Sequence, residues 1–351
     1  MQNNRPVSVV MTVFNEADNI EKVLHTLLEQ SRPPDEIVVV DGGSGDGTYE
    51  KLQHFAAQDQ RVHSMQLPGA NISRGRNAAI EASRHELIAV TDAGVRLRPD
   101  WLEQLVAPFA SSDVQVVSGF FRSDPDPSSP FQIAMGATVL PSVEEIEPDK
   151  FLPSSRSVAF TKSAWRAAGG YPEWLDYCED LIFDINLKNH VKTFAWKPQA
   201  LALFAPRRSL GAFWTQYYRY ARGDGKADLF LKRHLLRYFI YGVFAPAGII
   251  VALKKPIAWL LLFVCGLGYL WSAYKRLFKY LDEFKKLPLP GKIAAVLWVP
   301  LIRATGDIAK MAGYPLGRLW RYKFAPGAPP LQGPVLNQAE SVASQPHSQA
   351  Q

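Results

Sequence analysis

The sequence predicts an α/β fold, a doubly wound and mostly parallel sheet, followed by C-terminal transmembrane or interfacial helices. Three observations carry this. From Val7 to Trp196, short apolar runs rich in valine and isoleucine alternate with helix-length segments, the order that builds a parallel sheet. Runs such as Ile37–Val40 are apolar throughout, as strands buried on both faces are. After Arg237 the composition changes to two long apolar stretches.

Val7–Val13 reads as the first strand, and Asn15–Asp18 supplies turn and cap chemistry for a helix to about Glu29. Ile20, Val23, Leu24, Leu27 and Leu28 fall on one helix face. Pro33-Pro34 stops that helix, and Ile37–Val40 is the second strand. Asp46 or Thr48 opens the next helix, and Arg61–Leu67 forms a third strand. A helix over about Ser73–Arg84 leads to the fourth strand, Leu87–Thr91. Pro99 stands where a helix start prefers it, and Val114–Phe121 returns as a fifth strand. Ser123–Pro153, rich in Pro, Ser and acids, is expected to be loop over the sheet edge. Ser157–Thr161 is a short strand, Ser163–Ala168 a helix ended by Gly169-Gly170, Glu179–Asn189 a further helix and Val191–Trp196 a late strand.

Tyr238–Leu253 is almost wholly apolar, though interrupted by Pro246, and Ile257–Tyr274 carries no charge. Each is near the length needed to cross a bilayer. Tyr238, Tyr241, Trp271 and Tyr274 lie near the ends, as interfacial aromatics do. Lys232, Arg233 and Arg237 precede the pair, and Lys275, Arg276 and Lys279 follow it. A helical hairpin with both ends cytoplasmic satisfies the positive-inside bias; two buried helices of a soluble domain are the alternative. Ile293–Ile302 is apolar but short, and Pro300 is expected to break it, leaving a re-entrant or surface helix or part of a third span. From Ala325 the chain is Pro, Gly, Gln, Ser and Ala, a composition expected to be disordered. The expected organisation is a globular domain over 1–230, a membrane region with two or three hydrophobic helices over 231–324, and a tail over 325–351.

The chain carries a net charge of +6, yet Arg207–Lys286 holds 15 Lys/Arg against 4 Asp/Glu. The basic surplus therefore sits in the most apolar region. That points to membrane lipids with anionic headgroups as partners, and away from nucleic acid. Cys178 and Cys265 lie in unlike surroundings without metal-ligand spacing, which fits a reducing compartment. The N-terminus enters its first strand with no apolar leader, so the first domain is expected in the cytoplasm.

The second strand ends on Asp41 and runs into Gly42-Gly-Ser-Gly-Asp-Gly-Thr48. Ligands of open α/β sheets bind at the carboxyl ends of strands. Glycines such as Gly43 let a flat ring or a phosphate approach bare amides. Asp41 either holds a nucleotide or caps the next helix. Asp92 ends the fourth strand, so both carboxylates line one sheet edge, where a hard divalent cation bridging a diphosphate takes oxygen ligands. Asn71-Ile-Ser-Arg-Gly-Arg-Asn77 brings two arginines to a helix start, favourable for phosphate or simply a solvated basic turn. The dinucleotide fingerprint and the Walker loop are absent, so hydride-transfer and NTPase readings lose weight.

Val7-Ser-Val-Val-Met-Thr-Val-Phe-Asn-Glu16, Ile37–Thr48, Arg76-Asn77, Thr91-Asp-Ala-Gly94, Gly169-Gly-Tyr171 with Glu179-Asp180, and Gln216-Tyr-Tyr-Arg-Tyr-Ala-Arg222 occur in this order. The set resembles the family-2 glycosyltransferases of GT-A fold, in their membrane-anchored bacterial type, over about residues 7–225. The resemblance implies that Thr12, Glu16 and Asp41 hold the base and ribose of a sugar nucleotide, and that Arg76 and Asn77 face the nucleotide and donor sugar. It makes Asp92 the first Asp of a metal-binding Asp-x-Asp, with Mg2+ or Mn2+ as cofactor. Gly94 stands where the second carboxylate is expected. Glu179-Asp180 matches the acidic pair, with Asp180 as general base; without the resemblance, the pair merely complements a helix dipole. Gln216, Arg219 and Arg222 match a Gln-x-x-Arg-Trp motif over the diphosphate and acceptor, with Tyr220 in place of Trp. The same aromatics and arginines also suit a membrane-surface helix.

The expected activity is inverting transfer of a sugar from a nucleotide-sugar donor, UDP-linked, to a hydroxyl acceptor that is lipid-linked or a growing glycan. The acceptor hydroxyl loses its proton as the new bond forms. The place expected is the cytoplasmic face of the inner membrane, in a multi-pass protein working with other membrane proteins of a polysaccharide pathway. A sugar nucleotidyltransferase, a non-catalytic membrane assembly factor suggested by Gly94, and a processive polymer synthase are the alternatives.

Overall fold

The structure is a computed structural model that describes residues 5–191, 194–279 and 281–324. The chain runs β1 (Val7–Val13), α1 (Ile20–Leu28), β2 (Glu36–Asp41), α2 (Thr48–Gln58), β3 (Val62–Gln66), α3 (Ile72–Ala82), β4 (Leu87–Val90), β5 (Val95–Leu97), α4 (Trp101–Val106), β6 (Val116–Ser123), α5 (Pro130–Val139), β7 (Val158–Thr161), α6 (Lys162–Ala167), α7 (Glu179–His190), β8 (Ala195–Phe204) and α8 (Leu210–Ala227). Helices Leu231–Lys254, Ile257–Lys279 and Leu289–Phe324 follow. Two compact units result, one from residues 5–123 and 143–205, the other from 124–142 and 206–324.

The first unit holds an eight-stranded sheet in the order β3-β2-β1-β4-β7-β6-β8-β5. The β3-β2-β1-β4 half is parallel. Beyond it β7 runs antiparallel to β4 and β6, β8 pairs parallel with β6, and β5 pairs antiparallel with β8. The sheet is thus mixed, with its parallel half where the valine-rich runs predict it. Val10, Val38, Val40, Ile80, Ile88 and Phe183 belong to one buried cluster beneath α3 and α7.

Register places the site. Val13 pairs with Asp41 and Val10 with Val90, so the carboxyl ends of β1, β2 and β4 bring Thr12, Asp41 and Asp92 to one edge. Gly75 lets α3 sit directly on that edge, because a Cβ there would collide with the Thr12 hydroxyl.

Two strands depart from expectation. Val95–Leu97 is too short to show a period, and its middle residue Arg96 faces solvent. β8 begins at Ala195 and runs to Phe204. Pro198 lies inside it and cannot donate to the ladder, and the pairing with β6 shifts register between Ser118 and Phe120.

In the second unit, α5 occupies part of the expected 123–153 loop. Ser129 Oγ accepts from the Gln132 amide at 3.3 Å, and Pro130 fills the first helical position. The helix is buried on every side from Phe131 to Thr138, so it has no amphipathic period to read. Phe131, Ile133, Phe213, Tyr217, Val299 and Ile302 share one core. Contrary to expectation, Pro300 does not break its segment. Leu289–Phe324 is one helix through Pro300 and Pro315; burial of Val299 and Ile302 offsets the missing hydrogen bond. Gly313 and Gly317 face the α8 carbonyls of Tyr218 and Arg222, where any Cβ would collide.

Leu231–Lys254 and Ile257–Lys279 are long and apolar enough to cross a membrane. Leu253, Ile257 and Trp271 are among their exposed apolar side chains. The first helix passes Pro246 by way of a π-helical turn over Ile240–Phe244, the wider turn that relieves a proline in a helix. Cys178 and Cys265 are free thiols. The expected disordered tail, 325–351, lies outside the described residues.

Candidate active site

The glycine loop after β2 is stapled to the turn after β1. The Asn15 amide donates to Ser44 Oγ at 2.8 Å, the Gly45 amide to Asn15 Oδ1 at 3.0 Å, and the Glu16 amide to Thr48 Oγ1 at 2.9 Å. Asp41 is fully buried. Its Oδ1 accepts from the amides of Gly43 and Ser44, each at 2.9 Å, and from Gln66 Nε2 at 3.2 Å. Oδ2 is buried with no hydrogen-bond partner. A buried acceptor without a donor is costly, so Asp41 both shapes the loop and presents an open acceptor. Gly43 has φ +99°, and a Cβ there would press on Pro68, so the loop geometry requires glycine. Thr12 Oγ1 donates to the Val40 carbonyl at 3.1 Å.

Arg76, only 2% exposed, is the hub of the edge. Its Nη2 donates to Asp92 Oδ1 at 2.8 Å and its Nη1 to Glu179 Oε1 at 2.7 Å. Burial opposes its charge, but Asp92 and Glu179 outweigh burial and raise its pKa. Arg76 therefore joins the end of β4 to the start of α7, where the resemblance placed it against a nucleotide. Asn77 does not face this edge. Its Nδ2 donates to the Tyr171 carbonyl and Glu173 Oε1, and its Oδ1 accepts from the Tyr171 amide and Trp165 Nε1. It holds the turn after α6 in place.

The N-terminus of α7 carries Glu179 and Asp180, both buried, after Cys178 in the left-handed conformation at φ 67°. Burial first, then the charge of Asp180, pushes Glu179 up to about 8 against the pull of Arg76. One turn on, burial and Asp180 likewise raise Asp184 well above its ordinary value, and its Oδ2 has no hydrogen-bond partner. Tyr171 OH shares a 3.0 Å hydrogen bond with Ser155 Oγ, and the ring stacks on Phe183. The arrangement presents several carboxyl groups of unlike environment around one fixed cation, suited to holding and accepting protons.

Gln216, Arg219 and Arg222 lie on α8 in the second unit. Gln216 Nε2 donates to Tyr220 OH at 2.5 Å, and its Oε1 accepts from Arg207 Nε at 3.3 Å. Tyr220 is buried and Arg219 exposed.

The residues at Asp92 do not fit a protein-held divalent ion. Among the described residues no group of three or more His, Cys, Asp or Glu could hold a metal. Gly94 provides no carboxylate, Asp92 Oδ1 is taken by Arg76, and Arg156 Nε stands 3.8 Å from Oδ2. A cation on Asp92 is opposed by two guanidinium charges at this range.

Two participants escaped the sequence. Asp184 lies at i+4 from Asp180, a spacing that marks one helix face. Arg156, in Ser154-Ser-Arg-Ser157, follows no period or motif, and its complete burial is a tertiary property.

Residues 8–165 match Glycosyl transferase family 2. Bacillus subtilis TuaG, named for teichuronic acid biosynthesis, is 35% identical over 106 residues, 30% of this chain and 42% of TuaG. Glycosyltransferase AglE of Haloferax volcanii is 34% identical over 116 residues, 32% of this chain and 38% of AglE. The match thus spans about two fifths of each of these relatives. The succinoglycan biosynthesis protein ExoA of Rhizobium meliloti is 26% identical over 243 residues, 65% of this chain and 71% of ExoA. Among solved structures, the mannosyltransferase PcManGT from Pyrobaculum calidifontis, in complex with GDP-Man and Mn2+, aligns with TM-score 0.51 at 19% identity. That alignment covers 93% of this chain and 89% of PcManGT, and shows the GT-A fold. The match over residues 8–165, these relatives and the GT-A neighbour together support a family-2 glycosyltransferase.

Proposed function

We propose that this chain is an inverting glycosyltransferase that moves a sugar from a nucleoside diphosphate donor to a hydroxyl acceptor. The observation that carries the reading is Arg76, which ties the strand-end Asp92 to Glu179 beside Asp180. Strand-end groups for the donor and helix-start groups for the acceptor thereby share one cation. Thr12, Glu16 and Asp41 take the base and ribose; the open Oδ2 of Asp41 accepts an N–H or O–H of the nucleoside. As the acceptor oxygen bonds to the anomeric carbon, its proton passes to Asp180. The bond from that carbon to the diphosphate oxygen breaks, and its electron pair leaves with the nucleoside diphosphate. Gln216, Arg219 and Arg222 enter on the resemblance of their motif, as groups for the diphosphate. The resemblance and the Mn2+ in the PcManGT complex suggest Mg2+ or Mn2+, but the residues at Asp92 do not fit a divalent ion, and no step above is routed through one.

In this reading residues 1–230 are the transferase and 231–324 its membrane region, with the hairpin Leu231–Lys254 and Ile257–Lys279 anchoring it at the cytoplasmic face. The names of TuaG and ExoA support an envelope polysaccharide pathway, with a lipid-linked or growing glycan as acceptor. The donor base is UDP by expectation, and the GDP-Man of PcManGT adds GDP-sugars to the candidates. A screen of UDP- and GDP-sugars with purified, detergent-solubilised protein tests this. Release of nucleoside diphosphate from one donor is expected. No nucleoside diphosphate from any donor, with pyrophosphate released when a nucleoside triphosphate and a sugar 1-phosphate are supplied instead, indicates a nucleotidyltransferase and overturns the reading.

A further inference from the structure

Arg156 is buried to 1% exposure, two residues before β7. Its backbone is pinned: the carbonyl accepts from Thr91 Oγ1 at 3.1 Å and the amide donates to Ser154 Oγ at 3.3 Å. Its guanidinium lies 4.5 Å over the Phe204 ring and 6.0 Å from that of Phe121. The ion partner is Asp92, and Nε stands 3.8 Å from Oδ2, beyond hydrogen-bond reach. Nε and Nη1 are both buried with no acceptor. A desolvated guanidinium with unfilled donors is expensive. Asp92 satisfies it poorly, because its Oδ1 is already engaged by the equally buried Arg76.

Two residues after Asp92, Gly94 has nothing within 4 Å of where a Cβ would stand. The β4 end therefore shows one carboxylate, two buried arginines and open space, in place of a pair of carboxylates. Charge is inverted relative to a cation site. A planar guanidinium fork matches the oxygens of a phosphate better than any other side chain.

We propose that Arg156 binds the donor's diphosphate at the end of β4 in place of a divalent cation, so that nucleotide binding persists without metal. The proposal rests on the donor-site reading above. Arg156 then supplies the fixed positive charge that a leaving diphosphate needs.

Calorimetry on the full chain in detergent tests this, with UDP, GDP and their monophosphates as probes, each in EDTA and in Mn2+. Expected is a diphosphate affinity that differs less than about threefold between EDTA and Mn2+. Arg156→Lys, which keeps the charge but not the fork, is expected to weaken the diphosphate about tenfold while leaving the monophosphate nearly unchanged. A purely structural Arg156 weakens both alike, and that result overturns the proposal. Binding that appears only with Mn2+ overturns it too, and leaves the donor site standing. This second comparison uses the unmutated protein, so it decides the matter even if the variant fails to fold. No binding of any nucleotide in either condition overturns the donor-site reading and the proposal together.

Discussion

Arg76 Nη1 lies 2.7 Å from Glu179 Oε1, both fully buried, across a chain separation of 103 residues. This bond closes α7 onto the strand ends and turns two separate motifs into one site. Arg76→Met leaves Asp92 and Glu179 without their shared cation. Truncating one partner of a buried pair costs about 3–5 kcal/mol, so unfolding in denaturant is expected to shift by that amount. Sugar transfer is expected to be lost with it. Unchanged stability contradicts the hub role.

Asp41 makes two separable contributions. Oδ1 folds the glycine loop, while Oδ2 waits without a partner. Asp41→Asn preserves an acceptor for the Gly43 and Ser44 amides but removes the charge. Nucleotide affinity is expected to fall by about 1.5–3 kcal/mol, the range for a hydrogen bond to a charged group. Calorimetry with the nucleoside diphosphate of the active donor measures it. The effect belongs in binding; a loss confined to turnover contradicts the assignment.

Glu179 carries a pH signature. Its pKa is raised from an ordinary value near 4.5 to about 8, by burial and then by Asp180. The folded protein thus holds this proton more tightly than the unfolded chain. The resulting stability is fully present below the ordinary value and is lost as pH rises through about 8. Asp184 acts in the same direction. The melting temperature is expected to fall by several degrees between mildly acidic and mildly alkaline buffer, and Glu179→Gln to flatten the slope. Parallel slopes for both proteins contradict it.

Gly94 offers a gain-of-function test. The space beside it is open and its backbone lies outside the left-handed region, so Gly94→Asp is expected to fold with a stability change within about 0.5 kcal/mol. The added carboxylate lowers the local positive charge and supplies a second oxygen ligand. Nucleoside diphosphate binding is expected to become Mn2+-responsive, by about tenfold or more. Identical Mn2+ responses of variant and parent contradict it.

The parallel half of the sheet was legible because a strand buried on both faces must be apolar throughout, as β1 and β2 are. Asp41 and Asp92 were legible for the same reason, since a carboxylate that ends such a run marks a sheet edge. Elements without a period were not legible. α5 is apolar on all sides, Val95–Leu97 is three residues long, and β8 contains a proline. Pro300 misled because packing of Val299 and Ile302 outweighs a local helix cost. Within the site, the order of motifs announced Arg76 and Glu179-Asp180 but not that Arg76 spans two carboxylates. Asn77 shares its motif yet turns to Tyr171. Arg156 left no trace, because a buried charge is defined by partners distant in sequence.

The most direct test of sugar transfer through this site compares the parent protein with Asp180→Asn on the donor that the screen identifies, with release of nucleoside diphosphate and calorimetric nucleotide affinity measured together. Turnover is expected to fall by about 10²–10⁴-fold, the range for loss of a general base, with affinity unchanged within about threefold. Near-parental turnover in Asp180→Asn, with the nucleotide still bound, contradicts the account.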